Sequence, residues 1–124
     1  MNKAAVSRRR AWHIGLTAEA QSAWLLRLKG YRILAKRFRT PVGEIDLVAR
    51  RRRLLVFCEV KARPTYAEAA EAVTPRQRQR IEAASQAFVA ENPAYGDFDQ
   101  RFDALLCVPG RWPSHLIDAW RPDP

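Results

Sequence analysis

The sequence predicts an α/β fold in the element order αβββαβ, a mixed central sheet flanked by helices. Three observations predict it. A helical segment with its own stop signal opens the patterned region. Three short strand-like stretches follow across turn-length connections. A second, strongly capped helix and a nearly continuous apolar run then complete the order. The 124 residues fit one domain with one core, and a 48% apolar content supplies the material for it.

Residues 1–11, with Arg8, Arg9 and Arg10, read as a flexible basic arm. From Thr17 to Leu28 the pattern is helical: Ala20, Ala23, Trp24 and Leu28 form an apolar stripe, and Gly30 supplies the stop. Tyr31 to Arg39 reads as a first strand, with Ile33 and Ala35 alternating against Arg32 and Lys36. The second runs from Gly43 to about Ala49 and the third from Leu54 to Ala62. On the third, Leu54, Val56, Cys58, Val60 and Ala62 make one apolar face. The other face begins with Leu55 and Phe57, then turns to Glu59 and Lys61. Residues 63–73 form a connection with no assigned structure. Thr74 as N-cap, Pro75 at the first position and Gln77 completing a capping box start the second helix. Ile81, Ala84 and Phe88 are its buried stripe, and Asn92-Pro93 ends it. Phe102 to Val108 suits a central strand, and Leu116 to Trp120 adds an edge strand. There is no repeat and no internal domain boundary.

The hairpin of the second and third strands carries the chemistry. Folded about Arg52 and Arg53, it sets Asp46 opposite Glu59 and Glu44 opposite Lys61. Like charges facing across a sheet are destabilising, and burial raises the penalty unless a cation lies between them. The arrangement points to a divalent-metal site. The plain alternative is a solvated Asp–Lys–Glu patch, against which the apolar surroundings argue. Glu44 has a simple explanation as a salt bridge to Lys61.

Charge and composition narrow the partners. The net charge is +9, from 22 Lys and Arg against 13 Asp and Glu, and eighteen of the basic residues are arginine. The planar guanidinium suits phosphate, so nucleic acid or an anionic surface is the expected partner. Arg76, Arg78 and Arg80 crowd the start of the second helix, where the macrodipole disfavours cations and favours a docked phosphate. Arg51 and Arg52, within Arg50–Arg53 at the hairpin tip, form a second basic patch. Any one of these arginines also reads as an ordinary solvated charge. Cys58 and Cys107 sit in apolar runs and read as buried thiols of a reducing compartment. His13 and His115 lack ligand spacing. No apolar run is long enough to span a membrane and the N-terminus lacks a secretory apolar segment, so the expected location is cytoplasmic.

Ala18-Glu19, Gly30-Tyr31, Gly43-Glu44-Ile45-Asp46-Leu47, Glu59-Val60-Lys61, Val73-Thr74-Pro75 and Arg101-Phe102-Asp103 together resemble the bacterial YraN-like family. That family is grouped with restriction-endonuclease-like endonucleases and Holliday-junction resolvases. The resemblance covers nearly the whole chain after the arm, so residues 12–124 read as a single nuclease-like domain. Two departures stand out: Ile45 precedes the acid where the superfamily often has proline, and Gln77 sits where the family often has lysine.

The resemblance implies a metal-dependent nuclease acting on structured or branched DNA, with Mg²⁺ or Mn²⁺ as cofactor and a homodimer as one arrangement. Asp46 and Glu59 would hold the ion, with the Val60 carbonyl as third oxygen, and Lys61 would orient or help deprotonate the attacking water. Glu19, on the first helix, stands where the superfamily often contributes an acid. It also reads as an ordinary helix carboxylate. Asp103 either supports the site or pairs with Arg101. The rival functions are a non-catalytic nucleic-acid-binding module keeping the fold, and an adaptor docking an acidic protein.

Overall fold

The computed structural model describes residues 16–123. The expected arm over residues 1–11, and His13, lie outside them. The elements in order are α1 (Ala18–Leu28), β1 (Arg32–Thr40), β2 (Gly43–Arg51), β3 (Leu54–Ala62), α2 (Tyr66–Glu71), α3 (Pro75–Glu91), a single 3₁₀ turn, β4 (Asp99–Cys107) and β5 (Ser114–Trp120). The expected αβββαβ order is present, and the 63–73 connection, expected without structure, contains α2. Thr65 caps that helix and Ala69 buries it.

The strands form one sheet in the order β1-β2-β3-β4-β5. β3 and β4 pair in parallel, and every other pair is antiparallel. A parallel pair needs a crossover, and α2 and α3 provide it. Side chains alternate along β3, so its two faces feed two cores. Leu55 and Phe57 pack with Ile81, Ala84 and Phe88 of α3. Val56 and Cys58 pack with Ala23 and Leu26 of α1. Both cysteines are buried free thiols.

Thr17 accepts the Ala20 N–H at 3.0 Å, and Gly30 closes α1 at φ 91°. The α1 stripe needs correction: Trp24 is 50% and Leu28 75% exposed, while Gln21 and Ser22 are buried beside Ala23 and Leu26. Those two polar side chains are partnered, Gln21 to the Leu16 carbonyl at 2.9 Å and Ser22 to the Cys107 Sγ at 3.6 Å. A hydrogen-bonded polar group can be buried at little penalty, so the helix turns a face that apolar counting does not mark.

α3 crosses the start of β2 at very close range. A Cβ placed on Gly43 would lie 1.9 Å from the Arg80 carbonyl oxygen, so only glycine lets helix and strand meet there. This contact sets the N-terminal end of α3 at the same end of the hairpin as Asp46.

Candidate metal and phosphodiester site

The β2–β3 register runs from Arg51↔Leu54 to Leu47↔Cys58, as folding about Arg52 and Arg53 requires. Past Leu47 a side chain joins the strands: the Asp46 carboxylate accepts the Val60 N–H at 2.8 Å. On the other flank, Lys36↔Leu47 and Phe38↔Ile45 bracket Arg37, which holds a left-handed φ of 51°. Ile45 and Val48 lie in the same core although three residues apart, so β2 changes face across Asp46-Leu47. This local break lets an acid sit between apolar neighbours.

Glu59 faces Asp46 across the hairpin, and Lys61 Nζ lies 3.0 Å from Glu59 Oε1. The Glu59 and Lys61 side chains are only 12% and 13% exposed. Burial, then the neighbouring Asp46 charge, pushes the Glu59 carboxyl up to about 7, with Lys61 opposing. Burial also raises Asp46, although the Val60 N–H and Glu59 pull it back. Two neighbouring carboxyls on buried ground favour keeping a proton on one of them or binding a cation in its place.

The donor set fits a divalent ion of the Mg²⁺ or Mn²⁺ type. It offers two hard carboxylates on buried ground that face one another across the hairpin, with Lys61 balancing one of the two charges. Val60 is fixed beside them by its N–H bond to Asp46. Glu19 stands further out, with its carboxylate on Arg37 Nε at 3.1 Å. Among the described residues no three His, Cys, Asp or Glu side chains converge on one ion position. An ion here would have two carboxylates to bind, with Glu19 at the margin.

The structure distributes the other expected residues differently. Glu44 pairs with Arg39 at 3.5 Å instead of Lys61, because Lys61 reaches the nearer Glu59 on its own strand. Gln77 completes only half its capping box. Its N–H reaches Thr74 Oγ1 at 3.3 Å, but its buried Oε1 has no partner among the described residues. Arg76 and Arg80 are exposed near the N-terminus of α3. Arg78 instead donates to the Val73 carbonyl at 3.2 Å and lies over the Trp120 ring. Arg51 and Arg52 belong to the opposite end of the hairpin, five and six residues or about 17–20 Å along the strand from Asp46. Arg51 is pinned there over Tyr31 at 4.3 Å and donates to the Lys29 carbonyl.

Asp103 resolves to a structural role. It is fully buried, with Arg101 at 2.8 Å, His115 Nε2 at 2.6 Å and the Asp118 N–H at 2.9 Å. Burial alone would raise it, but His115 and Arg101 prevail and hold it at about 2. Sequence reading missed Arg37, the partner of Glu19. Its only trace was one more arginine in a basic strand, and the positive φ that aims it has no sequence signature.

A mixed sheet in this order, with an acid on β2 and Glu-x-Lys on β3, defines a restriction-endonuclease-like α/β core. The chain belongs to uncharacterised protein family UPF0102, the YraN family, whose profile matches residues 18–107. It is 54% identical over 112 residues to a UPF0102 protein of Parvibaculum lavamentivorans strain DS-1, covering 90% of this chain and 84% of that one. A UPF0102 protein of Bradyrhizobium sp. strain BTAi1 is 56% identical over 117 residues, 94% of this chain and 86% of the relative. One from Rhodopseudomonas palustris strain BisB18 is 55% identical over 121 residues, 98% and 90% of the two chains. No helix of the described residues is long and apolar enough to cross a membrane.

Proposed function

We propose that this protein is a metal-dependent nuclease that hydrolyses phosphodiester bonds in structured or branched DNA. The observation that carries the reading is the Asp46–Glu59 pair facing across the hairpin, with Lys61 alongside. Asp46 and Glu59 would hold Mg²⁺ or Mn²⁺, with Val60 beside them. The ion, when bound, supplies a Lewis acid for the phosphate and lowers the pKa of a bound water.

The chain's own groups do the positioning. The Val60 N–H holds Asp46 in one orientation, and Glu59 holds Lys61 with its ammonium at the same site. Lys61 can then orient a water or countercharge a phosphate oxygen. Glu19, paired with Arg37, borders the site and brings a guanidinium to its edge. The branched substrate follows from the family's grouping with resolvases.

A non-catalytic nucleic-acid-binding module is the second reading. It is favoured by one observation: Lys61 and Glu19 are both already neutralised by internal partners. Incubating four-way-junction, flap, duplex and single-stranded DNA, and RNA, with Mg²⁺ or Mn²⁺ separates the two. Cleavage abolished by EDTA supports the nuclease. Tight binding of the same panel with no product supports the module.

A further inference from the structure

We infer that the outer edge of the sheet, strand β1, is a track for a nucleic-acid phosphate backbone. The inference rests on the nucleic-acid reading above and adds where the backbone runs. β1 carries Arg32, Lys36, Arg37 and Arg39, all exposed, and no acid. The register places Arg39 opposite Glu44, Arg37 beside Asp46, and Arg32 opposite Arg50 at the tip end. The strand therefore carries basic side chains from the carboxylate site to the hairpin-tip arginines over about 23 Å of sheet edge, with Lys36 and Arg39 on the α1 face and Arg32 on the α3 face. At about 3.4 Å of axis per phosphate on one strand of a duplex, that length faces roughly seven phosphates.

Charge on an edge strand can also serve only to prevent edge-to-edge pairing. The opposite edge decides between the two explanations. β5 has no Lys or Arg, only Asp118 paired with Arg121, and leaves Leu116 and Ile117 exposed, so a row of basic charge is not how this fold protects its edges as a rule. Arg37 and Arg39 are held only by exposed ion pairs to Glu19 and Glu44. Such pairs are weak and yield readily to phosphate. Arg32 and Lys36 have no ion-pair partner among the described residues.

The test is fluorescence anisotropy with a labelled 20-base-pair duplex, a single strand and an RNA, over a KCl series without divalent metal. Wild type is compared with Arg32→Gln/Lys36→Gln, with the charge-keeping Arg32→Lys/Lys36→Arg, and with Arg111→Gln/Arg121→Gln elsewhere on the surface. The glutamine pair should weaken binding and make the slope of log affinity against log salt shallower by about 2. The charge-keeping and distant pairs should bind as wild type, and circular dichroism should show all variants folded. An unchanged slope in the Arg32/Lys36 glutamine pair, or an equal loss in the distant pair, overturns the track alone. No binding by wild type to any of the three probes would overturn the nucleic-acid reading as well.

Discussion

Replacing Glu59 by glutamine should flatten the pH dependence of stability in the metal-free protein. Glu59 is raised from 4.5 to about 7 in the folded chain. The folded state therefore binds more protons than the unfolded state between those values, and stability falls as pH rises through that window. The stabilisation is complete below about 4.5 and is lost by about pH 8. A shift of this size corresponds to roughly 3 kcal/mol, shared with the coupled Asp46. For a domain of this length that is a fall of about 10 °C in Tm. Glu59→Gln keeps an acceptor for Lys61 and a donor for Asp46, so it mimics the protonated acid. Thermal denaturation in EDTA at pH 5 and pH 8 measures both proteins. The wild-type fall should exceed that of Glu59→Gln by several degrees, and Mg²⁺ at pH 8 should raise wild type more than the variant. Equal falls in the two proteins would refute the coupled pair as described.

Gly43→Ala should destabilise the fold by more than about 3 kcal/mol, because its Cβ meets the Arg80 carbonyl backbone at 1.9 Å. Urea denaturation reads this directly. Asp103→Ala should lose about 3–5 kcal/mol by leaving buried partners unpaired. In wild type, Asp103 is held at about 2, so its stabilisation is present above its unfolded value of 3.8 and lost as pH falls through 2. An acid-unfolding curve of Asp103→Asn should lack that step. Gln77→Met should keep or raise Tm, since it removes a buried acceptor that has no partner among the described residues. A fall of several degrees would mean that Gln77 makes a contact the fold needs.

Much of the fold was legible because local chemistry and tertiary packing agree at the places that matter. Thr74-Pro75 starts α3 and Ile81, Ala84 and Phe88 face the core as their spacing requires. The two-residue turn at Arg52-Arg53 fixed the hairpin register, and with it the meeting of Asp46 and Glu59. What stayed hidden depends on exceptions to periodicity. α1 buries Gln21 and Ser22 because neighbours satisfy them, and those neighbours are distant or backbone groups. Lys61 pairs with Glu59 rather than Glu44, a choice set by how the strands part beyond Leu47. Arg78, grouped by sequence with Arg76 and Arg80, turns inward because Trp120 offers its ring. The face change at Asp46, with Arg37 at positive φ opposite, is backbone strain of the kind that gathers at functional sites.

The most direct test of the central claim compares wild type with Asp46→Asn and Lys61→Ala on labelled four-way-junction and duplex DNA in Mn²⁺. Binding is measured alongside cleavage. The expected result is metal-dependent cutting by wild type and loss of product in both variants, with DNA affinity in Asp46→Asn equal to or above wild type. Persistent cutting by Asp46→Asn at the wild-type rate would contradict a site built on Asp46 and Glu59.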